Sequence, residues 1–491
     1  MSALSDAIAR RMPDSSLGQV SPLHGLRRGS VTTLDLVAQS VAAVAPAGGL
    51  LILTGGLVDR TGSFAFVTLL LTAAAVILVA LSMSVFARRI SAAGGIYTFV
   101  TRGLGPVAGM IAGVALLLGY AGVSMDTLRS AVRRLGVAFG DDGQWASGSV
   151  ATVVLVVGIG AAITAIIGLG AKTSTRVMLV VEAVVVTALV GLSVAVLAST
   201  GWKAPDVLPD LAAAPSLSSF AEGIGFALIC FVGFESGAAL GPESRRPLAT
   251  VPRALVWTIA AVAAVYLFGM LAQLSAVADG RDAALLTDAD LVASPWLGSL
   301  IEAVVAASWI ACTLACTNAL VRLVFTMARE GVLPTALGRT SARFATPHVA
   351  ALAVGTVIIA GTLLLVWAGR ESLYRDVVHL SQSMAFIIAY LAVCAAAVPY
   401  LVRIGEFSLR EAWPAVLGTL ALAGVAGTEV LAEASEDPTA LCVLLAVIAV
   451  ATLAHLLRVR SGSVLAARVG AYDTPVASDA ISSPVAPPPR S

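Results

Sequence analysis

Charge is what this 491-residue chain has least of. Asp, Glu, Lys and Arg make up 12% of it, against 58% hydrophobic residues, where a soluble domain carries about 25% charged and about 45–50% apolar residues. A fold kept in water by a charged surface is excluded, and a polytopic membrane protein is implied; mean hydropathy is +0.94. The formal net charge of +1 gives no sign of a nucleic-acid partner, whose phosphates call for a basic surface. Lysine is confined to Lys172 and Lys203. The five cysteines (Cys230, Cys312, Cys316, Cys394, Cys442) all fall within apolar stretches. Cys312 and Cys316 stand four apart with no His or Asp beside them to complete a metal set, so no metal is expected and they read as small packing residues. His379, near the start of the tenth apolar stretch, stands alone and reads as a helix-end residue.

Enzymatic signatures are missing as well. There is no His-Glu-x-x-His, no Gly-x-Ser-x-Gly and no Walker loop. The paired acids that a membrane-embedded hydrolase or transferase needs are absent from the apolar stretches. The chain is read as no enzyme, and no cofactor is called for. Residues 1–30 are polar, with Arg10, Arg11, Arg27 and Arg28 ahead of the first apolar run, and do not resemble a cleavable signal peptide.

What is present is a series of apolar runs of about 20 residues, the length that crosses a bilayer as a helix. Twelve spans are expected, near 33–57, 64–86, 104–125, 148–168, 177–199, 217–240, 252–276, 297–327, 347–368, 376–398, 413–433 and 439–458. They divide into a cytoplasmic N-terminal segment (1–30), a first group of five spans (31–200), a second group of five (201–400), two further spans (401–460) and a disordered cytoplasmic tail (461–491) ending in SSPVAPPPRS. With the N-terminus inside, 21 of the 30 Lys and Arg fall on the cytoplasmic side, the asymmetry that orients membrane proteins. Both termini are placed in the cytoplasm of a multi-pass protein of the cell membrane. No coiled-coil or dimer motif decides between monomer and homodimer.

Two spans carry their own interruptions. The first, AQSVAAVAPAGGLLIL, has Pro46 in its middle followed by Gly48 and Gly49; proline removes a backbone donor and clashes with the preceding turn, and glycine lets the chain leave helical geometry. The sixth, GIGFALICFVGFESGAALGPESRRP, is broken at Gly233, with Glu235 two residues on. An ionisable group within a span is a functional candidate by default, and non-helical backbone at that depth survives only inside protein or beside a cavity. Spans one and six hold matching places in two halves of five, and paired interruptions point to a midplane site in an inverted-repeat transporter. Glu235 reads either as a proton-carrying or coupling group, or as a hydrogen-bond partner for freed backbone. Glu182, in the fifth span, is a second candidate relay. Asn318 and Arg322 stand four apart on the eighth span and share a face. The loop around Gly94 and Gly95, with Tyr97 and Arg102, reads as turn structure packed under the site.

Three stretches in order resemble the amino acid–polyamine–organocation (APC) superfamily of permeases: ARRISAAGGIYTFVTRGLGPVAGMIAGVALLLGY at 87–120, FVGFESGAALGPESRRPLATVPRA at 231–254, and NALVRLVFTMAREGVLP at 318–334. The resemblance implies an all-α fold of twelve helices with a leucine-transporter-type five-plus-five inverted repeat, helices one and six being discontinuous. It implies transport of a small amino acid by alternating access, through proton-coupled symport, with an amino acid/amine exchanger or a polyamine permease as alternatives and a transporter-like sensor behind them. In that family the substrate carboxylate meets free amides of the broken first helix, here Ala45, Ala47 and Gly48. The ammonium meets carbonyls near Ala42, Ala43, Cys230 and Phe231, the ring of Phe231 or Phe234 closes as a gate beside the break at Gly233, and Tyr120 holds the place of a site tyrosine. A half-helix start supports such a carboxylate site by its unpaired N–H groups and positive dipole end. One departure is clear: the fifth-span lysine that replaces sodium in some proton-coupled members is missing, and Val184, Val185 and Val186 fill the region. Proton or sodium therefore both stand as coupling ion. The pocket side offers mostly apolar residues, which favours a neutral amino acid over a dication.

Overall fold

The computed structural model describes residues 25–139, 149–202, 209–278, 295–368, 372–461 and 469–470. Most of the expected N-terminal segment and nearly all of the expected tail lie outside the described residues. Among the described residues the chain is helical, with α1 (Thr33–Val44), α2 (Pro46–Thr61), α3 (Ala65–Ala87), α4 (Ile96–Leu104), α5 (Pro106–Ala138), α6 (Val150–Leu169), α7 (Ala171–Ser199) and α8 (Leu217–Ile229). A 3-10 stretch, Phe234–Glu243, follows, and then α9 (Pro247–Ala278), α10 (Pro295–Glu330), α11 (His348–Trp367), α12 (Leu373–Arg403), α13 (Leu409–Glu436) and α14 (Thr439–Ser461).

Among the described residues, eleven helical stretches are long and apolar enough to cross a membrane. The difference from the expected twelve lies at the first span. It is split at Ala45, its 12-residue first half is too short to count, and its second half runs through a 3-10 turn into α3 as one stretch, Pro46–Ala87. Helix starts follow local chemistry. Thr32 and Asp35 form a reciprocal capping box, Thr32 N–H donating to Asp35 Oδ2 at 2.8 Å and Asp35 N–H to Thr32 Oγ1 at 3.3 Å. Ser149 and Ser216 cap α6 and α8 with their side chains. Gly94 and Gly95 lie in a turn, as expected, whereas Tyr97 and Arg102 belong to the helix α4, whose apolar face (Ile96, Phe99, Val100) is buried.

In a bilayer every backbone polar group must be satisfied within the protein, so helices with internal ladders are the natural solution. Hydroxyls follow the same rule: Thr68, Thr72, Ser84, Ser193 and Thr326 all donate to the carbonyl four residues earlier. The centre of the bundle is the packing of α5 against α10 and α12, with α1 and the 3-10 stretch laid against α9 and α10. Outer faces are apolar and exposed, as at Val180, Val184, Leu352, Leu420 and Val450. Of the cysteines, four are buried while Cys442 lies on the exposed face of α14.

Candidate functional site

The first break lies one residue before the proline. Ala45 adopts φ 53°, a left-handed conformation, and Pro46 opens α2 at its first position. Proline suits the first turn of a helix and keeps the residue before it out of right-handed α geometry, which places the break at Ala45. Holding a non-glycine residue there costs about 1–2 kcal/mol, a load the surrounding packing carries. Gly48 and Gly49, expected to be unwound, are helical. Their role is contact: a Cβ on Gly48 would stand 2.1 Å from Trp309 Cζ2, and one on Gly49 would stand 2.0 Å from the Tyr266 hydroxyl.

The second break is where the sequence put it. Helix α8 ends at Ile229, Gly233 takes φ 104°, and the chain resumes as 3-10 rather than α-helix. A Cβ at Gly233 would stand 2.7 Å from Ala43 O, so the two breaks are in contact. Glu235 binds this junction together. Its carboxylate accepts from Tyr120 Oη at 2.6 Å, from Tyr390 Oη at 2.5 Å and from Gly233 N–H at 3.2 Å. Spans three, six and ten thus meet on one buried acid, and Phe386 packs edge-on to Tyr120 at 5.2 Å.

The substrate-binding and coupling residues expected from the sequence are all buried: Ala42, Ala43, Ala45, Ala47, Gly48, Tyr120, Cys230, Phe231, Gly233, Phe234, Glu235, Glu182 and Asn318. Their backbone groups are only partly available. The Ala45 N–H is not free, because it donates to Ala42 O at 3.1 Å in closing the end of α1. Ala47 and Gly48 precede the first bond that closes α2, from Gly49 N–H to Ala45 O at 2.9 Å, and so belong to the turn whose amides have no partner four residues back. Among the carbonyls, Ala43 O accepts from Cys312 Sγ at 3.0 Å and Cys230 O from Tyr266 Oη at 2.9 Å. Phe231 packs edge-on to Tyr266 at 5.3 Å, and Phe234 lies against Tyr390 at 5.4 Å.

Below the breaks runs a buried polar chain. Gln39 Nε2 donates to Ala315 O at 2.8 Å, and Asn318 Nδ2 donates to Gln39 Oε1 at 2.8 Å. Arg322 donates to Asn318 Oδ1 and, through Nε and Nη2, to Glu243 Oε1 at 3.0 and 2.6 Å. Asn318 and Arg322 therefore do share a face, and their common task is to join α10 to α1 and to the 3-10 stretch. The chain segments on either side are bonded too: Ser30 and Val31 N–H donate to Glu243 O at 2.9 and 3.1 Å, and Arg245 N–H to Val31 O at 3.1 Å. These bonds tie the start of α1 to the end of the 3-10 stretch. Tyr97 Oη donates to Glu330, tying α4 to the end of α10.

Glu182 stands apart from this. It is 4% exposed, and neither carboxyl oxygen has a hydrogen-bond partner among the described residues. Thr175, two turns earlier on α7, donates to Asp35 Oδ1 on α1 at 3.3 Å. Seven residues of helix advance about 10 Å, so Glu182 lies about that far along α7 from this contact. His379, on α12, lines a cavity of about 430 Å³ with Asp376, Glu429 and Glu433.

Comparison with known proteins fits this geometry. A family model described as amino acid permease matches residues 31–451. The chain belongs to the amino acid permease family, within the APC superfamily. An uncharacterized transporter of Mycobacterium tuberculosis and one of Mycobacterium bovis are each 30% identical over 286 residues, 57% of this chain and 62% of the relative. The chain thus spans less than two thirds of the length of those mycobacterial relatives. The branched-chain amino acid permease BcaP of Bacillus subtilis is 23% identical over 344 residues, 66% of this chain and 72% of that protein. In this permease, sequence reasoning missed Gln39, Tyr266, Trp309 and Tyr390. Only Gln39 carried a signal of its own, as an amide inside an apolar span.

Proposed function

We propose that this permease moves a small neutral amino acid across the cytoplasmic membrane by alternating access, as a proton-coupled symporter. Residues 31–200 and 201–400 act as two inverted repeats of five spans, spans eleven and twelve flank them, and both termini are cytoplasmic. The amides of Ala47 and Gly48 take the substrate carboxylate. The carbonyls of Ala42, Ala43, Cys230 and Phe231 take the ammonium as their present partners withdraw. The apolar rings of Phe231 and Phe234 favour an uncharged side chain, and the substrate class in the name of the Bacillus relative agrees with that preference.

The observation that carries proton coupling is the isolation of Glu182. A buried carboxylate with neither donor nor cation is costly to keep charged, so this group changes its proton as its surroundings open. Glu235 is read differently. Three donors already meet its two oxygens, which suits a fixed tie between the breaks rather than a group that gains and loses a proton in each cycle.

Uptake of labelled neutral amino acids into proteoliposomes, with and without an inward proton gradient, tests this. Glu182→Gln is expected to abolish gradient-driven accumulation while leaving counterflow exchange, and Glu235→Gln to impair both. Accumulation by Glu182→Gln at the level of the parent protein would remove Glu182 as the carrier. Counterflow in the parent with no gradient-driven accumulation would make the protein an exchanger, and substrate binding without flux would make it a sensor.

A further inference from the structure

A slot between spans three, eight and twelve is independent of the transport site. It encloses about 350 Å³ and is walled by Met110, Val114 and Leu118 of α5, Met327 of α10, and Val447 and Ala451 of α14. At one end the wall changes character. His455 lines it, 4% exposed and with no partner for Nε2 among the described residues. Arg458, one turn on, stands at the mouth and donates to Val332 O at 3.4 Å. An unmet imidazole nitrogen and a guanidinium three residues apart on one helix face mark a polar terminus to an otherwise apolar slot.

Its dimensions and orientation narrow the occupant. From Val447 to Arg458 is eleven helical residues, about 16 Å, close to one leaflet of a bilayer whose hydrocarbon core is about 30 Å thick. Met110 lies near the start of α5 and Met327 near the end of α10, so all three walls place the basic mouth at the same end of the bundle. That end carries Arg88, Arg89, Arg102 and Arg403, as the arginine-rich side of the sequence demands. We propose that this slot binds one anionic phospholipid of the inner leaflet, with an acyl chain along α14 and its phosphate on Arg458 and His455. Basic pockets between spanning helices on the cytoplasmic side hold anionic headgroups in this way.

The test is native mass spectrometry of the full-length protein, titrated with phosphatidylglycerol and with phosphatidylcholine of the same chains. The protein is expected to retain one phosphatidylglycerol in preference to phosphatidylcholine by about fivefold, the ratio expected for one basic side chain near an anionic surface. Arg458→Gln, an exposed position that should not disturb folding, is expected to erase the preference. Ala451→Trp, which fills the slot, is expected to lose the bound lipid of either kind while the melting temperature stays within a few degrees of the parent. Equal retention of the two lipids by the parent protein would overturn the headgroup assignment. Undiminished retention by Ala451→Trp would overturn the site, as would displacement of the lipid by inorganic phosphate. A dimer that falls apart on Ala451→Trp would show that a second copy of the chain, rather than lipid, covers the slot.

Discussion

Tyr390 on span ten and Glu235 in the break of span six stand 2.5 Å apart, phenol to carboxylate, inside the bundle. The same acid holds Tyr120 of span three at 2.6 Å. Any rotation of the broken helices relative to spans three and ten must stretch these bonds. Tyr390→Phe should leave the carboxylate one donor short, at about 1–3 kcal/mol for a buried acceptor. Lowered thermal stability in detergent and slower uptake would be the readout. Tyr120→Phe should cost a similar amount. The double variant should depart from the sum, because both phenols serve one carboxylate. Strict additivity would indicate that the two bonds are not felt together.

Gly233 tests the contact between the breaks. Its φ of 104° disfavours any L side chain, and an added Cβ would meet Ala43 O at 2.7 Å, a backbone atom that cannot turn aside. Gly233→Ala is expected to destabilise by about 2 kcal/mol or more, from left-handed strain of about 1–2 kcal/mol plus the clash. Binding of substrate should fall with it. Stability equal to the parent protein would mean that the two breaks move apart freely.

Much of this was legible in the sequence, for reasons that are local. Twenty-residue apolar runs announce their own helices, and Gly233 followed by Glu235 announces a break because neither belongs in a plain span. The first break was read nearly right: Pro46 disrupts the turn before it, so the left-handed residue is Ala45. The glycines after it were misread because close approach of a neighbouring helix and an unwound backbone call for the same residue. Trp309 and Tyr266, which need those glycines, lie more than 200 residues away in the chain. Tyr390 was missed for the same reason. A tyrosine in an apolar span is ordinary until the acid it faces is known. Glu243 and Arg322 were each visible, but nothing local pairs residues 79 positions apart.

The approach of Trp309 to Gly48 makes a paired prediction. With the ring where it is, Gly48→Ala already places a methyl 2.1 Å from Trp309 Cζ2, so overpacking of about 1–3 kcal/mol is expected. Substrate binding should be lost, since the ring or the half-helix must shift. Adding Trp309→Val to Gly48→Ala should recover most of the stability. It should not recover full affinity if the ring also covers bound substrate. Recovery of neither would place the fault of Gly48→Ala elsewhere than in this contact.

The buried pair of Arg322 and Glu243 supports the sharpest stability test. Their side chains are 2% and 3% exposed, and Arg322 Nη2 lies 2.6 Å from Glu243 Oε1. Removing one partner strands a charge in a low-dielectric interior, at about 3–5 kcal/mol, whereas removing both is often close to neutral. Arg322→Met and Glu243→Leu should therefore each lower the melting temperature strongly, while Arg322→Met with Glu243→Leu should regain most of the loss. Transport should separate from stability in that double variant. It keeps a packed core and the Asn318–Gln39 bond between α10 and the first span, but loses the tie from α10 to the 3-10 stretch and the polar contact that fixes Glu243 beside Val31. If the link latches the arginine-rich end of the pathway, the double variant should show raised substrate leak in counterflow with weakened gradient-driven accumulation. A double variant that is stable and transports like the parent would reduce the pair to a packing feature. The closure of that end would then rest on the backbone bonds between Val31, Glu243 and Arg245 alone.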